Sequence, residues 1–364
     1  MNSRWPEWLQ LNESLRELKP YGAPQIPADI RLNTNENPFG LDSELQREII
    51  DEISQQVSHL NRYPDRDAVQ LREMLADYIN KSCGTNFNME NIWAANGSNE
   101  ILQSIALAFN GSAMGFEPSY SMHPLISKSV GKNWISVPRA ADFSFNSDLA
   151  VQAIKQHRPG LVFLTTPNNP TGDSISVEDI AVVTKTALQT HSVVVVDEAY
   201  AEFSDLPSAV GLIPENPNLI VSRTMSKAFA FAGARLGYMI ASKTLVEAML
   251  LVRLPYHLSD LTQAAARAAI RKSSGLKQEV VVLKANRQLL SAELKKMDLK
   301  VIESDANFIL FGGFKIAASE LWSELVSRGV LIRDVGLPGY LRVTVGTTQE
   351  NDGFIAALRE VLSK

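Results

Sequence analysis

Short apolar runs alternate with amphipathic stretches through most of the chain. The runs contain four or five residues each, many of them β-branched or small, at 92–95, 113–116, 161–165, 193–196, 219–222 and 236–240. Helical periodicity occupies the stretches 42–59, 67–82, 97–109 and 176–190. Apolar strands that alternate with helices are typical of a mainly parallel sheet covered on both faces. The pattern therefore predicts an α/β fold with a large central sheet.

The two ends of the chain show a different pattern. Residues 1–35 are polar and proline-rich and predict an arm with one short helix near 7–18. Helices dominate from 243 to 298. The last part mixes predicted strands with predicted helices, at 330–333, 341–345, 317–328 and 350–362.

These changes in sequence pattern predict three structural regions. They are an N-terminal arm (1–35), a large α/β domain (36–250) and a small C-terminal α+β domain (251–364). Residues 36–60 could also pack with the small domain. We expect the arm to lie near the small domain or near a partner subunit.

Composition narrows the class of protein. The chain has 364 residues, 45% hydrophobic and 21% charged, with a net charge of −5. No basic block appears, so we expect no nucleic-acid partner. A single cysteine, Cys83, leaves no disulfide within the chain and no Cys/His zinc pattern. The N-terminus lacks an apolar leader and the apolar runs are too short to span a bilayer, so we expect a cytoplasmic protein.

One lysine stands in an unusual context. Lys227 follows the apolar run at 219–222, with hydroxyl residues before it, small and apolar residues after it, and Arg235 closing the segment. Burial lowers the pKa of a lysine and makes its amine nucleophilic, most usefully towards a carbonyl carbon. A lysine that extends from a buried turn to solvent would show the same local pattern. Its neighbours elsewhere in the chain decide between the two interpretations.

Further polar residues follow other predicted strands. Asp197 ends the run at 193–196, and Tyr200 lies three residues on. Asn169 belongs to the segment 166–172, whose two prolines and glycine constrain the backbone. A buried carboxylate needs a cationic partner, which a protonated ring nitrogen or an arginine would supply. Since ligands bind beyond the carboxyl ends of strands in open α/β sheets, we expect these residues to share one site.

A phosphate site is also predicted. Gly97, Ser98 and Asn99 form a strand-to-helix turn, where free backbone N–H groups attract anions, although Ser98 and Asn99 could be simple helix caps. Thr224, Ser226 and Arg235 could complete the phosphate site. Tyr120, which follows the run at 113–116, could stack on a flat ring.

One molecule satisfies all of these groups. Pyridoxal 5′-phosphate has an aldehyde for Lys227, a basic ring nitrogen for Asp197, a phenolic oxygen for Asn169 and Tyr200, and a phosphate for the turn at 97–99. The sequence therefore predicts an enzyme that uses this cofactor. The predicted catalytic residues are Lys227, Asp197 and Tyr200.

The chain resembles the fold-type I aminotransferases of class II, and within them the histidinol-phosphate aminotransferases. The resemblance runs from about residue 31 to the C-terminus, and its order and spacing are more specific than any single motif. The motifs lie at 35–40, 62–65, 96–100, 166–172, 196–200, 226–229, 233–237 and 341–347. The chain departs from the common pattern at His123, where a tyrosine is usual, and at Ala230 and Phe231.

The resemblance implies a homodimer with active sites at the interface. It implies that Tyr63 reaches the cofactor phosphate of the other subunit. It also implies that Arg342 and Arg333 bind substrate anions, because guanidinium groups pair with oxyanions in a bidentate manner. The remaining candidate substrate-binding residues are Tyr21, Asn37, His123 and His257.

The resemblance further implies a reaction. An amino group would pass from histidinol phosphate to 2-oxoglutarate, giving imidazole-acetol phosphate and glutamate, with Lys227 as the proton carrier. An aromatic amino-acid aminotransferase would share every cofactor motif, and a threonine-phosphate decarboxylase would share the scaffold. A cofactor-binding module without turnover would not need Lys227, and a dinucleotide enzyme would need a Gly-x-Gly-x-x-Gly turn that the chain lacks.

Overall fold

The computed structural model of the protein describes residues 5–6, 8–20 and 22–363. In this part of the chain the strands are β1 (Ile30–Arg31), β2 (Ile92–Ala95), β3 (Ala113–Glu117), β4 (Trp134–Pro138), β5 (Leu161–Thr165), β6 (Val193–Asp197), β7 (Leu219–Thr224), β8 (Gly237–Ala241), β9 (Lys300–Val301), β10 (Phe308–Gly312), β11 (Val330–Leu331) and β12 (Tyr340–Thr344). The α-helices are α1 (Ser43–Val57), α2 (Val69–Cys83), α3 (Ser98–Ala108), α4 (Met122–Ser129), α5 (Ser147–His157), α6 (Val177–Gln189), α7 (Lys243–Val252), α8 (Asp260–Arg271), α9 (Ser273–Lys296), α10 (Ala318–Ser327) and α11 (Thr348–Leu362).

Seven strands form one sheet in the order β2-β8-β7-β6-β5-β3-β4. All of them run parallel except β8, which is antiparallel to both of its neighbours. The central strands β5, β6 and β7 are buried almost throughout, which explains why they read as continuous apolar runs. The predicted mainly parallel sheet flanked by helices is confirmed.

The direction of β8 decides which residues meet at one edge of the sheet. Thr224 at the end of β7 and Ala95 at the end of β2 both pair with Gly237 at the start of β8. The residues that precede β8 therefore lie at the same edge as the residues that follow β2, β3, β5, β6 and β7. This proximity is not apparent from the sequence. The direction of β8 brings Arg235 to that edge.

Helix ends follow local sequence signals. The side chain of Ser176 accepts from Asp179 N at the start of α6, and Thr347 and Glu350 form a reciprocal capping box at α11. Gly84 ends α2 with φ 66°, a conformation that costs glycine little. Two 3₁₀ segments, Ala201–Phe203 and Ala209–Glu215, connect β6 to β7.

A second group of elements surrounds smaller sheets. Strands β12, β10 and β9 form an antiparallel sheet, and β1 pairs in parallel with β11. Phe308 and Phe311 on β10 and Phe354 on α11 are fully buried. Burial of one such ring contributes about 2 kcal/mol, and the three rings belong to a continuous hydrophobic core that also includes side chains of β5, β6 and β7.

The seven-stranded sheet lies within residues 92–241 and the three-stranded sheet within 300–344. This distribution agrees with a large α/β part and a smaller α+β part. The boundaries at 35/36 and 250/251 remain a proposal.

The arm differs from its prediction. In place of an α-helix near 7–18, the described residues contain one 3₁₀ turn, Glu13–Leu15, which packs against α4. The prolines at 6 and 20 flank a stretch too short to propagate a helix without a buried face. Further on, the arm leads into β1, which pairs with β11 of the C-terminal part.

Two features are absent from the part of the chain that the structure describes. No helix in that part of the chain is long and apolar enough to cross a bilayer. No cluster of three or more histidine, cysteine or acidic side chains in the same residues has an arrangement that could hold a metal ion.

Candidate active site

A cavity of about 530 Å³ opens at the edge of the large sheet where the polar loops converge. Segments 33–36 and 333–342 form its other wall. The residues predicted from the sequence that line it are Ser98, Asn99, Tyr120, Asn169, Asp197, Tyr200, Thr224, Ser226, Lys227, Arg235, Arg333 and Arg342. The structure thus brings together residues that are up to 244 positions apart in the chain (342 − 98).

Lys227 lies in the turn that follows β7. Its Nζ donates to the backbone oxygen of Thr34 at 2.8 Å. Burial lowers the pKa of the lysine to about 8, and the nearby positive charge of Arg342 adds to the effect. A neutral amine is therefore available near physiological pH, as nucleophilic attack on a carbonyl carbon requires.

Asp197 ends β6 and is buried at the base of the cavity. Its Oδ1 accepts from the backbone N–H of Ala199 at 3.2 Å, and its Oδ2 lies 3.2 Å from Nε2 of His123. These two contacts occupy hydrogen-bonding positions of the buried carboxylate.

His123 lies on α4 behind Asp197 and does not line the cavity. Its ring stacks on Phe163 at 4.8 Å and meets the edge of Tyr120 at 5.3 Å. The sequence placed His123 in the substrate pocket, and the structure places it against the carboxylate. The difference arises because the first turn of α4 points the side chain towards β5 and β6, away from the opening.

Two amides contact the hydroxyl of Tyr200. Asn35 Nδ2 donates to it at 3.0 Å and Asn169 Nδ2 at 3.3 Å. Asn169 also accepts from Arg342 through Oδ1 at 2.5 Å. Asn169 thereby connects the phenol to the arginine that faces the opposite side of the cavity.

The turn between β2 and α3 forms an anion-binding surface. Gly97 has φ 83°, and a Cβ at this position would lie 2.6 Å from Nη2 of Arg235. Arg235 Nη1 reaches Ser226 Oγ at 3.5 Å, and Thr224 Oγ1 donates to Ser226 Oγ at 3.0 Å. Free N–H groups at the start of α3, two hydroxyls and one guanidinium therefore surround the same space.

Arg333 and Arg342 face the cavity from neighbouring strand positions. Their backbones pair through two hydrogen bonds of 2.9 Å. Arg342 Nη2 donates to the backbone oxygen of Asn33 at 2.9 Å, and its guanidinium carbon lies 5.1 Å from the ring centre of Phe308. These contacts restrain a planar cation at the wall of the cavity.

The structure places several predicted residues outside the cavity. Asn37 Nδ2 donates to Glu279 on α9 at 3.1 Å. His257 lies behind the turn at 97–99, with Nε2 2.9 Å from the backbone oxygen of Ala94. In both cases a backbone or helix contact within the fold holds the side chain away from the opening. Tyr21 lies outside the described residues.

Tyr63 is also remote from the cavity of its own chain. It is 79% exposed and stacks on Tyr256 at a ring separation of 4.4 Å. The prediction for this residue concerned the site of a partner subunit, and it remains a prediction.

Some contributors were not recognised from the sequence. The backbone oxygen of Thr34 holds Lys227, and a carbonyl group leaves no mark on residue type. Asn33 lines the cavity beside it, as does Glu36 from the motif at 35–40. Asn35 belongs to the same motif, and its left-handed backbone (φ 56°), which favours asparagine over bulkier residues, is visible only in the fold.

Fold and site together define an enzyme of carbonyl–amine chemistry, and comparison with known proteins gives its family. The family model described as aminotransferase class I and II matches residues 27–358, so the chain belongs to this family. The fold-type I assignment and the resemblance noted in the sequence are confirmed.

Individual relatives narrow the comparison further. The chain is 52% identical over 358 residues to a histidinol-phosphate aminotransferase of Mycolicibacterium vanbaalenii, covering 96% of this chain and 95% of the relative. It is 51% identical to the enzyme of the same name from Mycolicibacterium smegmatis, covering 97% and 93%. A crystal structure of histidinol-phosphate aminotransferase from Sinorhizobium meliloti in complex with pyridoxal-5′-phosphate superimposes with a TM-score of 0.85 at 25% identity, covering 97% and 98%.

Proposed function

We propose that the chain transfers an amino group between histidinol phosphate and 2-oxoglutarate with pyridoxal 5′-phosphate as cofactor. Relatives that are about half identical over nearly the full chain are named histidinol-phosphate aminotransferase, which supports the reaction predicted from the sequence. The observation that carries the proposal is a lysine with a pKa of about 8 in a cavity that also contains a buried carboxylate and two arginines.

The residues present fit the cofactor. The glycine at 97 leaves room that a Cβ would fill, directly below the guanidinium of Arg235. Ser98, Asn99, Thr224, Ser226 and Arg235 would hold the phosphate, Asp197 the ring nitrogen, and Asn169 with Tyr200 the phenolic oxygen. When bound, pyridoxal phosphate supplies an aldehyde for the substrate amine and a conjugated ring that accepts electrons from the bond being broken.

Lys227 has two tasks. As a neutral amine it would hold the aldehyde of the cofactor, and as a base its Nζ would take a proton from the substrate carbon that bears nitrogen. The lowered pKa suits both tasks, because an amine of ordinary pKa would be almost fully protonated at neutral pH. The oxygen of Thr34 fixes the direction of the amine.

Asp197 would accept a hydrogen bond from the ring nitrogen of the cofactor and hold the proton there. His123 and the N–H of Ala199 bind its two oxygens in a buried setting, so the carboxylate has little freedom to turn. Its orientation is therefore set before the cofactor arrives, and binding needs no reorganisation at this position.

Arg333 and Arg342 would bind the anionic end of each substrate in turn. A phosphate dianion suits two guanidinium groups, and the carboxylate of 2-oxoglutarate needs one bidentate partner. Arg342 is restrained by Asn33, Asn169 and Phe308, which favours it as the group common to both substrates.

We further propose a homodimer. Large apolar side chains remain exposed beside the stacked pair of Tyr63 and Tyr256, among them Leu254 at 74% and Leu251 at 87%. Several exposed apolar side chains close together in the sequence, at 251, 254 and 256, are typical of a subunit interface. Tyr63 would then reach the phosphate site of the partner. The cytoplasmic location predicted from the sequence is retained as part of the proposal.

The decisive experiment compares amino donors. Purified enzyme loaded with pyridoxal phosphate is mixed with histidinol phosphate, phenylalanine or tyrosine, and the loss of the cofactor's visible absorbance is followed in a single turnover. The ratio of rate constant to KM should be about a hundredfold or more higher for histidinol phosphate than for either aromatic amino acid. This result would support the proposal, since a site built for a dianion leaves unpaired charges with other donors. Equal or better rates with the aromatic amino acids would make the chain an aromatic aminotransferase.

A further inference from the structure

Asn35 occupies the junction between the large sheet and the C-terminal sheet. Its side chain is 1% exposed, and its backbone adopts the left-handed conformation with φ 56°. Asparagine tolerates this conformation better than most residues, and its amide can bond locally while it does so. A buried residue in this conformation is held there by the surrounding contacts.

All polar groups of Asn35 have partners. Its backbone N–H donates to Thr344 Oγ1 at 3.0 Å, and the same hydroxyl donates back to Asn35 Oδ1 at 3.0 Å. Its backbone oxygen accepts from Asn307 Nδ2 at 3.1 Å. These three contacts tie Asn35 to β12 and to the residue before β10.

The fourth polar group of Asn35, its side-chain N–H, contacts Tyr200, which follows β6. Asn35 Nδ2 donates to the hydroxyl oxygen of Tyr200 at 3.0 Å, and Asn169 Nδ2 donates to the same oxygen at 3.3 Å. A phenol oxygen has two acceptor positions, so two amide donors occupy both. With both acceptor positions taken, the hydroxyl of Tyr200 acts as a donor towards any further oxygen.

We propose that Asn35 is a positioning residue that fixes Tyr200 as a hydrogen-bond donor to the phenolic oxygen of the cofactor. The proposal rests on the proposed function and deepens it. Because Asn35 is anchored on Thr344, two residues from Arg342, the orientation of the phenol is tied to the strand that carries the substrate-binding arginine.

Two substitutions separate this role from a structural one. Asn35→Asp keeps the acceptor for Thr344 but replaces the N–H donor by an oxygen, which attracts the Tyr200 proton to itself. Asn35→Gly keeps the left-handed backbone and removes every side-chain contact. A positioning role predicts that Asp is the more damaging change, and a purely structural role predicts that Gly is.

The test follows two readouts in the enzyme loaded with pyridoxal phosphate. The first is the pH midpoint of the cofactor's visible absorbance, which needs no substrate. The second is kcat, measured together with KM in steady-state kinetics. Asn35→Asp should lower kcat about tenfold with little change in KM, and should move the midpoint to higher pH by about one unit. The shift is upward because a phenolic anion that has lost its donor holds a neighbouring proton more tightly.

A Tyr200→Phe background completes the test. Without the phenol oxygen, Asn35→Gly should lower kcat by less than about twofold and move the midpoint little, whereas with Tyr200 present it should lower kcat about threefold to fivefold. Equal effects in both backgrounds, or a larger loss for Gly than for Asp, would overturn the role of Asn35 and leave the proposed function intact. Absence of a cofactor band in the unmodified enzyme would contradict the proposed function itself, and with it this role.

Discussion

His123 Nε2 lies 3.2 Å from Asp197 Oδ2, and both side chains are buried. The carboxylate faces the cavity while the imidazole lies behind it, between Phe163 and Tyr120. A histidine in this place contacts the carboxylate and lies outside the cavity lining. The departure from the usual tyrosine therefore concerns the surroundings of Asp197.

Replacing this histidine should weaken catalysis without changing substrate affinity. We expect His123→Phe to lower kcat about tenfold to a hundredfold, because a buried carboxylate loses a hydrogen bond worth about 1.5–3 kcal/mol. The KM for histidinol phosphate should change by less than about twofold, since His123 is not a cavity residue. Steady-state kinetics at saturating cofactor measures both. A rise in KM with unchanged kcat would return His123 to the substrate pocket.

Attachment of the cofactor should depend on pH through Lys227. The pKa of this lysine is lowered to about 8 from 10.5, so the neutral, reactive fraction rises about tenfold per pH unit below that value and levels off above it. Stopped-flow mixing of cofactor-free enzyme with pyridoxal phosphate measures the rate. A rate that continues to rise tenfold per unit beyond pH 9 would show an unperturbed lysine.

The same measurement on an arginine variant tests the cause of the shift. Burial is the main cause and the charge of Arg342 the second. Arg342→Gln removes one positive charge, so the pKa of Lys227 should move upward and the plateau should begin at a higher pH. An unchanged plateau would mean that burial alone lowers the pKa.

Gly97 is predicted to be irreplaceable for phosphate binding. Gly97→Ala places a methyl group 2.6 Å from Arg235 Nη2 and forces a side chain into the left-handed region, which costs about 1 kcal/mol. We expect cofactor affinity, measured by fluorescence titration, to fall about tenfold or more. Gly211→Ala is the control, because a Cβ there meets nothing within 4 Å. Equal affinities in the two variants would place the phosphate elsewhere.

Substitutions of Arg333 and Arg342 should change the KM values of the two substrates in different ways. Arg333→Lys should raise the KM for histidinol phosphate about tenfold and affect 2-oxoglutarate less, because a lysine cannot reproduce a bidentate contact with the dianion. Arg342→Lys should raise both KM values, since this residue is proposed to bind both anions. Full kinetics with each substrate varied in turn checks the pattern, and identical profiles for the two variants would contradict it.

Much of the site followed from sequence because the sheet is parallel. Asp197, Asn169 and Lys227 each come directly after an apolar strand, and parallel strands bring such residues to one edge. Arg235 was identified from its motif. It reaches the site because β8 runs antiparallel to its neighbours, and no local pattern in the sequence shows this direction.

Other features depend on tertiary contacts that local sequence does not encode. The strand at 134–138 is absent from the sequence-based prediction. It is half-exposed at the sheet edge and ends in proline, so its pattern is neither alternating nor fully apolar. The support of Asp197 by His123 joins α4 to β6 across 74 residues, and the contact of Lys227 with Thr34 spans 193. Periodicity reports local structure and burial, and pairings at these separations appear only when the chain is folded.

The central claim is that Lys227 binds the aldehyde of pyridoxal phosphate, and one measurement tests it directly. The enzyme is loaded with the cofactor, reduced with borohydride, digested and analysed by mass spectrometry, beside a Lys227→Ala variant. We predict one cofactor-sized mass addition, on Lys227, and in the variant neither an addition there nor any turnover. An addition on another lysine, or transamination by the variant, would contradict the account.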